Sequence, residues 1–372
     1  MKQIGVFLHP ERSTNDYMLS SNGTVIFHPL SAYVDFKRNS IWYLKIEFPI
    51  ADLHGKELPN EAIFKVDLTY AKNQFFRMIY KEIDRKKNTY TCYCNHVFFD
   101  SQKEVIVFDK RSINTNWSGA INTANTIISE CSPKNPYHVY GEINGQITTA
   151  YWEDYNLIQC LFGTEDNTLI NRWEDDVKQY HPTAMFDNFS CYFGDGTKYP
   201  ESMKPRNIYF STSSEIEDDS LTETMENTVT GIIPKAYNGY MLPNHEIVKS
   251  SKYDQYKIHR IEFRKYDDIK LKEDASEDEK DTAYDTMDQV YTALREAANK
   301  DLALEDVPEK TYKLKPVDLP QYKNQRKIIK PNDYIVLVDE KTGVSETKFY
   351  IESYKFDLIK ETTDSIEVSE LR

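Results

Sequence analysis

Residues 61 to 99 read EAIFKVDLTYAKNQFFRMIYKEIDRKKNTYTCYCNHVFF, three runs rich in aromatic and β-branched side chains with only short polar joints between them. Joints this short cannot hold the crossover that parallel neighbours need, so successive runs must turn back on themselves. The same pattern begins earlier. Val25 and Phe27 belong to one short alternating run, and Trp42, Leu44, Ile46 and Phe48 to another, with Asn39-Ser40 as the turn before it. This predicts an antiparallel sheet or barrel rather than βαβ units. No glycine-rich nucleotide loop stands between a strand and a helix.

Composition agrees. The 372 residues include 27 Tyr and 18 Phe and are 40% hydrophobic, far from the make-up of a disordered chain. Aromatic side chains pair well across strands. The formal net charge of -14 argues against a groove that neutralises phosphates, so nucleic-acid binding by the chain as a whole is not expected. The first ten residues, MKQIGVFLHP, hold no apolar core of a secretory signal, and no stretch has the roughly 18 apolar residues of a membrane span. No membrane anchor is therefore expected. Five cysteines, an odd number in a long chain, do not make a disulfide framework.

Further along, SGAINTANTIISEC (118 to 131) puts Ala120, Ala124, Ile127 and Ile128 on one helical face, with Ser118 as a cap. YNLIQCLFG (155 to 163) reads as a short helix stopped by Gly163. Strands are expected to resume from Leu169, in TLINRWEDDV and NFSCYFG, with Asp195-Gly196 as a hairpin turn. In ASEDEKDTAYDTMDQVYTALREAANK, Ser276 and Glu279 suggest a capping box, and Ala283, Met287, Val290, Tyr291, Leu294 and Ala297 share one face. Its acids suit the positive end of a helix and lack the spacing of a calcium loop. TYKLKPVDL, DYIVLVDE, ETKFYIESYKFDLI and SIEVSE are further strands, with Thr342-Gly343 between the middle two. The predicted fold class is α+β, mostly β, in several small domains. These are a β-barrel-like region over 1–115, a mixed α/β region over 116–200, and a β-rich region over 201–372 with an inserted helix near 276–299.

Candidate chemistry is sparse. Cys92, Cys94 and His96 alternate on one face of a strand. Side chains two apart in a strand stand about 6.5 Å apart, wide for a zinc site that also needs a fourth ligand. A buried or half-buried sheet face is the expectation. Cys131, Cys160 and Cys191, with His138 and His181, are the ingredients of a nucleophile and base, but none sits in a local signature. NHEIV (244 to 248) has one histidine where a metalloprotease helix needs two. Glu165, Asp166, Glu174, Asp175, Asp176 and Asp187 could supply acid pairs. Glu174, Asp175 and Asp176 are consecutive, so they cannot share one strand face and suit a solvated turn. Trp173 and Phe189 suit cores or interfaces. The sequence thus assigns no catalytic, cofactor or metal residue.

The order of segments resembles the prophage tail endopeptidase family, the tail-associated baseplate hub proteins of tailed phages of Gram-positive bacteria. IWYLKIEFPI, ending at Phe48-Pro49, is similar to an early family strand. Gln74, Phe76, Arg77 and Met78 resemble its Gln-x-Phe-Arg-Ile stretch, and His96 with Asp100 its His-x-x-x-Asp turn. Leu161, Gly163, Glu165, Asp166 and Asn167, then Trp173-Glu174-Asp175 and Asp187-Asn188-Phe189, follow a third stretch, although the family's paired glycines are replaced here. Asn207, Pro234 and Gly239 stand at comparable places in a fourth. The resemblance spans roughly residues 20 to 370. It implies a hub at the tip of a long tail, with a fold like that of contractile-tail hubs and a ring-shaped homotrimer. The implied partners are the distal tail protein, the tape measure protein and tail fibre or receptor-binding proteins. DNA would pass through the assembly without specific binding. The implied location is the virion tail tip, after synthesis in the bacterial host cytoplasm. Peptidoglycan cleavage in the family belongs to extra C-terminal domains. A chain that stops at Arg372 is therefore expected to be structural rather than an enzyme, with a peptidase or peptidoglycan hydrolase as the alternative.

Overall fold

The computed structural model describes residues 4–9, 15–109, 111–113, 117–131, 136–142, 150–163, 168–170, 183–194, 198–211, 215–276, 280, 283–316, 329–339 and 344–371. The chain forms two compact units, Met1–Ser220 with Tyr312–Leu371, and Leu221–Thr311.

The first unit begins with β1 (Ile4–Phe7), helix α1 (Asn15–Ser20), β2 (Thr24–Ile26), β3 (Ser31–Lys37), β4 (Tyr43–Pro49), β5 (Ile63–Val66), β6 (Gln74–Asp84) and β7 (Thr89–His96). All neighbours are antiparallel, in the order β2-β1-β5-β6-β7-β4-β3. Alternation decides which face is buried: Ala32, Val34 and Phe36 of β3 and Leu44, Ile46 and Phe48 of β4 point inward. The β3 segment, absent from the runs read above, is held at its turn by Asn39 with φ 50°. In β6 the alternation breaks. The register shifts between Met78 and Tyr80, so Tyr80 faces outward and stacks on Tyr93 of β7 with ring centroids 4.2 Å apart. Lys65, buried on β5, donates to the carbonyls of Met18, Leu19 and Ser21 at 3.0, 2.9 and 2.9 Å. These belong to the C-terminal end of α1, where helix carbonyls lack intrahelical partners.

The chain continues through α2 (Ser101–Glu104), β8 (Arg111–Ile113), α3 (Trp117–Cys131), β9 (His138–Glu142), β10 (Ala150–Trp152), α4 (Leu157–Phe162), β11 (Met185–Asp187) and β12 (Ser190–Gly194). β12 pairs parallel with β9 and antiparallel with β11. Helix α3 buries Ala120, Ala124, Ile127 and Ile128 as its spacing predicts. It starts at Trp117, so Ser118 lies inside the first turn rather than at the cap. Asn156 caps α4 through a reciprocal bond pair with Gln159. Gly163 ends α4 with φ −62°, not the left-handed turn usual for a terminal glycine. A Cβ there would lie 2.7 Å from the Gln159 carbonyl, so close approach is what favours glycine. Leu169 and Ile170 are helical and buried, which corrects the expected strand start at Leu169. Period-two and buried-helix patterns cannot be told apart over so short an apolar run. Asp195-Gly196 and Thr342-Gly343 lie outside the described residues.

β13 (Asn207–Ser211) precedes the second unit, β14 (Ile216–Thr224) runs into it, β18 (Glu309–Pro316) runs out of it, and β19 (Tyr334–Asp339), β20 (Val344–Asp357) and β21 (Thr362–Glu370) follow. The 14-residue β20 joins the two halves of the sheet. Its start pairs with β19, its end with β3, and β21 runs along it, followed by β18 and β14.

The second unit holds β15 (Gly231–Ala236), β16 (Val248–Lys249), β17 (Ile261–Tyr266) and helix α5 (Met287–Glu305). Val290, Leu294, Ala298 and Leu302 of α5 pack with Ile232, Ala236 and Val248. The helix begins at Met287, after a capping box of Thr286 and Gln289 and not at Ser276 and Glu279, so Ala283, expected on its face, precedes it. Both strings fit the box pattern, but only Thr286 directly precedes the apolar stripe that α5 buries. Arg264 bonds Asp301 and Glu305 of α5, and Tyr266 donates to Asp301 at 2.8 Å. Among the described residues no helix is long and apolar enough to cross a membrane.

The ring of Trp42 is 1% exposed and lies within edge-on reach of Phe36, Tyr70, His96 and Phe186. Trp42→Ala is expected to lower the unfolding free energy by about 3–5 kcal/mol, read from urea midpoints. A loss under about 1 kcal/mol would show that this ring is not central to the core.

Candidate functional site

The residues that carry the sequence resemblance meet around residues 184 to 189 of the first unit. Three contacts pin this segment to the sheet. At the β3–β4 turn, Asn39 accepts from the Ala184 amide at 3.0 Å. Phe186 packs edge-on against Trp42 with centroids 4.8 Å apart, and also meets Phe98, Phe99 and Phe162. At the β11–β12 turn, Asp187 and Asn188 clasp the start of β6.

The clasp is reciprocal. Asn188 accepts from the Phe75 amide at 2.9 Å and donates to the Asn73 carbonyl at 3.0 Å. Gln74, with no exposed surface, donates to Asp187 at 2.7 Å and accepts from the Asn188 amide at 3.2 Å. Asn73 and Asn188 both have left-handed backbone, φ 55° and 49°, which asparagine tolerates better than most residues. Here the sequence signal was present at both turns, though Asn73 was not singled out.

His96 completes the junction from β7. Its Nε2 lies 3.2 Å from the Gln74 Oε1. The Gln74 Nε2 already serves two acceptors, Asp187 and the Lys72 carbonyl, so Oε1 must accept and His96 Nε2 carries the proton. Nδ1 is then an acceptor, buried without a partner. Burial among Trp42, Phe76 and Phe186 holds the imidazole pKa down to about 3.

One turn on, Arg77 of β6 donates to Asp100 at 2.7 Å, tying the corner after β7 back to the sheet. Burial raises the Asp100 carboxyl against the pull of Arg77. Tyr137 adds a bond to Glu104 at 2.8 Å. A cleft of about 440 Å³ beside the clasp is lined by Asp67, Tyr70, Lys72, Asp187, Ser202 and Met203 among others. Neither histidine nor cysteine lines it.

The remaining candidates do not converge. Cys92, Cys94 and His96 share the buried face of β7, and burial pushes the Cys92 thiol up to about 12 and raises the Cys94 thiol as well. Among the described residues no group of three or more His, Cys, Asp or Glu could hold a metal ion. Cys160 and Cys191 are fully buried and their thiols are pushed up, which removes the thiolate a nucleophile needs. In the β9–β12 register Cys191 lies beside Val139, one place from His138, so the two side chains leave opposite faces of the sheet. Cys131 donates to the Ile106 carbonyl at 3.0 Å. His245 closes an exposed single 3-10 turn, Pro243–His245, not an α-helix. Phe189 packs on a cluster of Phe7, Met18, Ile63, Phe75 and Val97. Glu165, Asp166, Trp173, Glu174, Asp175, Asp176 and His181 lie outside the described residues.

No family model matches this chain, and no curated protein matches it in sequence. Its fold is similar to that of several tail proteins, two of them from prophages. Prophage tail protein gp18 from Listeria monocytogenes EGD-e is 12% identical with a TM-score of 0.56, over 99% of this chain and 94% of that one. A tail protein from Neisseria meningitidis MC58 is 10% identical with a TM-score of 0.55, over 100% and 96%. The 43 kDa tail protein of prophage MuSo2 from Shewanella oneidensis is 11% identical with a TM-score of 0.54, over 100% and 97%. The chain therefore has a tail-protein fold over essentially its whole length.

The depressed His96 pKa makes stability depend on pH. An unfolded histidine takes up its proton near pH 6.5, whereas folded His96 does so only near 3. As pH falls between those values the unfolded chain alone binds the proton, and folding loses about 1.4 kcal/mol per pH unit. Between pH 6.5 and 5 the native chain should lose about 2 kcal/mol more than His96→Asn, measured by urea unfolding at each pH. Parallel curves for the two proteins would mean that His96 is not held neutral by the core.

Proposed function

We propose that the chain is a structural protein of a phage tail, placed at the tail tip as a baseplate hub. In this reading it links the tail tube to distal fibre or lytic modules. One observation carries the reading: three tail proteins from different bacteria, two of them from prophages, share its fold over nearly the full length of both chains. The junction described above supports it as well. Gln74, His96, Asp187 and Asn188 are spent on one another and on backbone groups, as suits a rigid joint.

In this proposal the hub is a homotrimer, with the β-rich region over 1–115 supplying much of the ring contact. Its neighbours are the distal tail protein, the tape measure protein, and fibre or receptor-binding proteins. DNA crosses the assembly without specific binding, and the negative charge of the chain disfavours a grip on phosphates. A peptidase would need its nucleophile and base side by side, and the opposite facing of Cys191 and His138 speaks against that pair.

Light scattering over a range of concentrations, alone and with the distal tail protein, tests the assembly against a protomer of 43.7 kDa. The expected mass is three protomers, with stable binding to the distal tail protein. A symmetric dimer that closes its own interface is incompatible with the hub. So is turnover of cell-wall fragments that disappears on changing a single Cys or His.

A further inference from the structure

The free edge of the second unit presents an apolar surface ringed by lysines. β17 ends the sheet order β16-β15-β17 and, among the described residues, pairs only with β15. The register sets Lys249, Gly231 and Ile261 in one row across the three strands, Ile233 and Phe263 in the next alternate row, and Lys235 and Lys265 in the one after. Strand alternation puts these residues on one face. The other face, with Ile232, Ala236 and Val248, is covered by α5.

At Gly231 this face is covered by Ile247 and Tyr253, whose ring also carries the Lys249 ammonium at 4.5 Å, but along β17 it is open: Phe263 is 74% exposed and Ile261 40%, and Ile258 just before the strand is 69% exposed. Natural edge strands are usually short, charged or covered, because their unpaired backbone groups invite another strand. Here the edge carries aromatic and β-branched side chains instead. Its charge is also unlike the rest of the chain. The rows of this face hold three lysines, Lys235, Lys249 and Lys265, and no acidic residue, in a chain of net charge -14. Lys265 is bound by exposed Asp267, a surface pair that a competing carboxylate can replace at little cost.

We propose that this edge is a docking site for an extended acidic segment of a partner protein, which adds as a strand beside β17. Main-chain bonds to residues 261–266 supply the pairing. Apolar side chains at alternate positions of the segment cover Ile261 and Phe263. Its carboxylates meet Lys249 at one end of the face and Lys235 and Lys265 at the other. The open edge favours a strand over a helix, which would leave those backbone groups unpaired. This site is argued from the second unit itself and does not depend on the tail reading.

The test uses the full chain and labelled peptides of about seven residues, the length of an ordinary strand, alternating Val with Glu or Val with Lys. Vesicles of phosphatidylglycerol serve as a second anionic probe. The Val/Glu peptide should bind, protect the amides of 261–266 from hydrogen exchange, and outcompete the Val/Lys peptide. Phe263→Asp should weaken it by about tenfold or more, and Lys265→Glu should shift preference toward the Val/Lys peptide. Both residues are exposed, so neither change removes core packing. The proposal fails if the Val/Glu peptide does not bind at about 1 mM, or if both peptides bind alike. It fails equally if Phe263→Asp has no effect, or if vesicles bind at this edge and the peptide does not.

Discussion

The edge-to-face contact of Trp42 and Phe186 is the interaction on which the first unit depends. Trp42 comes from the start of the β4 hairpin and Phe186 from a short strand more than a hundred residues later. Around Phe186 gather Phe98 and Phe99 from the corner after β7 and Phe162 from α4. One ring therefore joins the antiparallel sheet to the mixed α/β part of the same unit. Ring contacts of this kind add a directional preference to the area they bury, so they position as well as stabilise.

The polar clasp beside it works in the opposite currency. Buried Gln74 and half-buried Asp187 and Asn188 bring backbone donors and acceptors together, and each is answered by a partner. A buried amide left unanswered costs more than a satisfied one contributes. Such a network thus sets register more than it adds stability. His96 shows the same logic with one atom left over, since its neutral ring fits the aromatic pocket and Nδ1 stays unpaired.

In the proposed tail role, positioning of this kind is the useful property. A protein that transmits geometry between neighbours needs joints that do not yield, and the first unit ties its parts with rings, amides and the Arg77–Asp100 pair. The second unit differs in kind. Its small sheet is covered by a helix on one face only, and the other face ends in an uncovered, lysine-flanked edge.

Much of this was legible in the residues. The alternation of Leu44, Ile46 and Phe48, the Asn39 turn, the stripe of α3 and the strands near the C-terminus all follow from local periodicity, because neighbouring side chains alone decide it. The resemblance also marked Gln74, Arg77, His96, Asp100, Asp187 and Asn188, which the fold brings into one junction and its adjoining corner. Local pattern misled where two signals competed, as at the capping boxes of Ser276 and Thr286, and where the apolar run was too short, as at Leu169. It could not show the bulge at Ile79, since a bulge depends on the strand opposite. The sequence by itself determined strand periodicity, turn chemistry and the predominance of β structure. The tertiary structure alone decided that β3 would pair with β20, that Trp42 would meet Phe186, and that Cys191 and His138 would face apart. Those outcomes rest on contacts between residues far apart in the chain, whose closure is set by the packing of the whole unit and not by any one stretch.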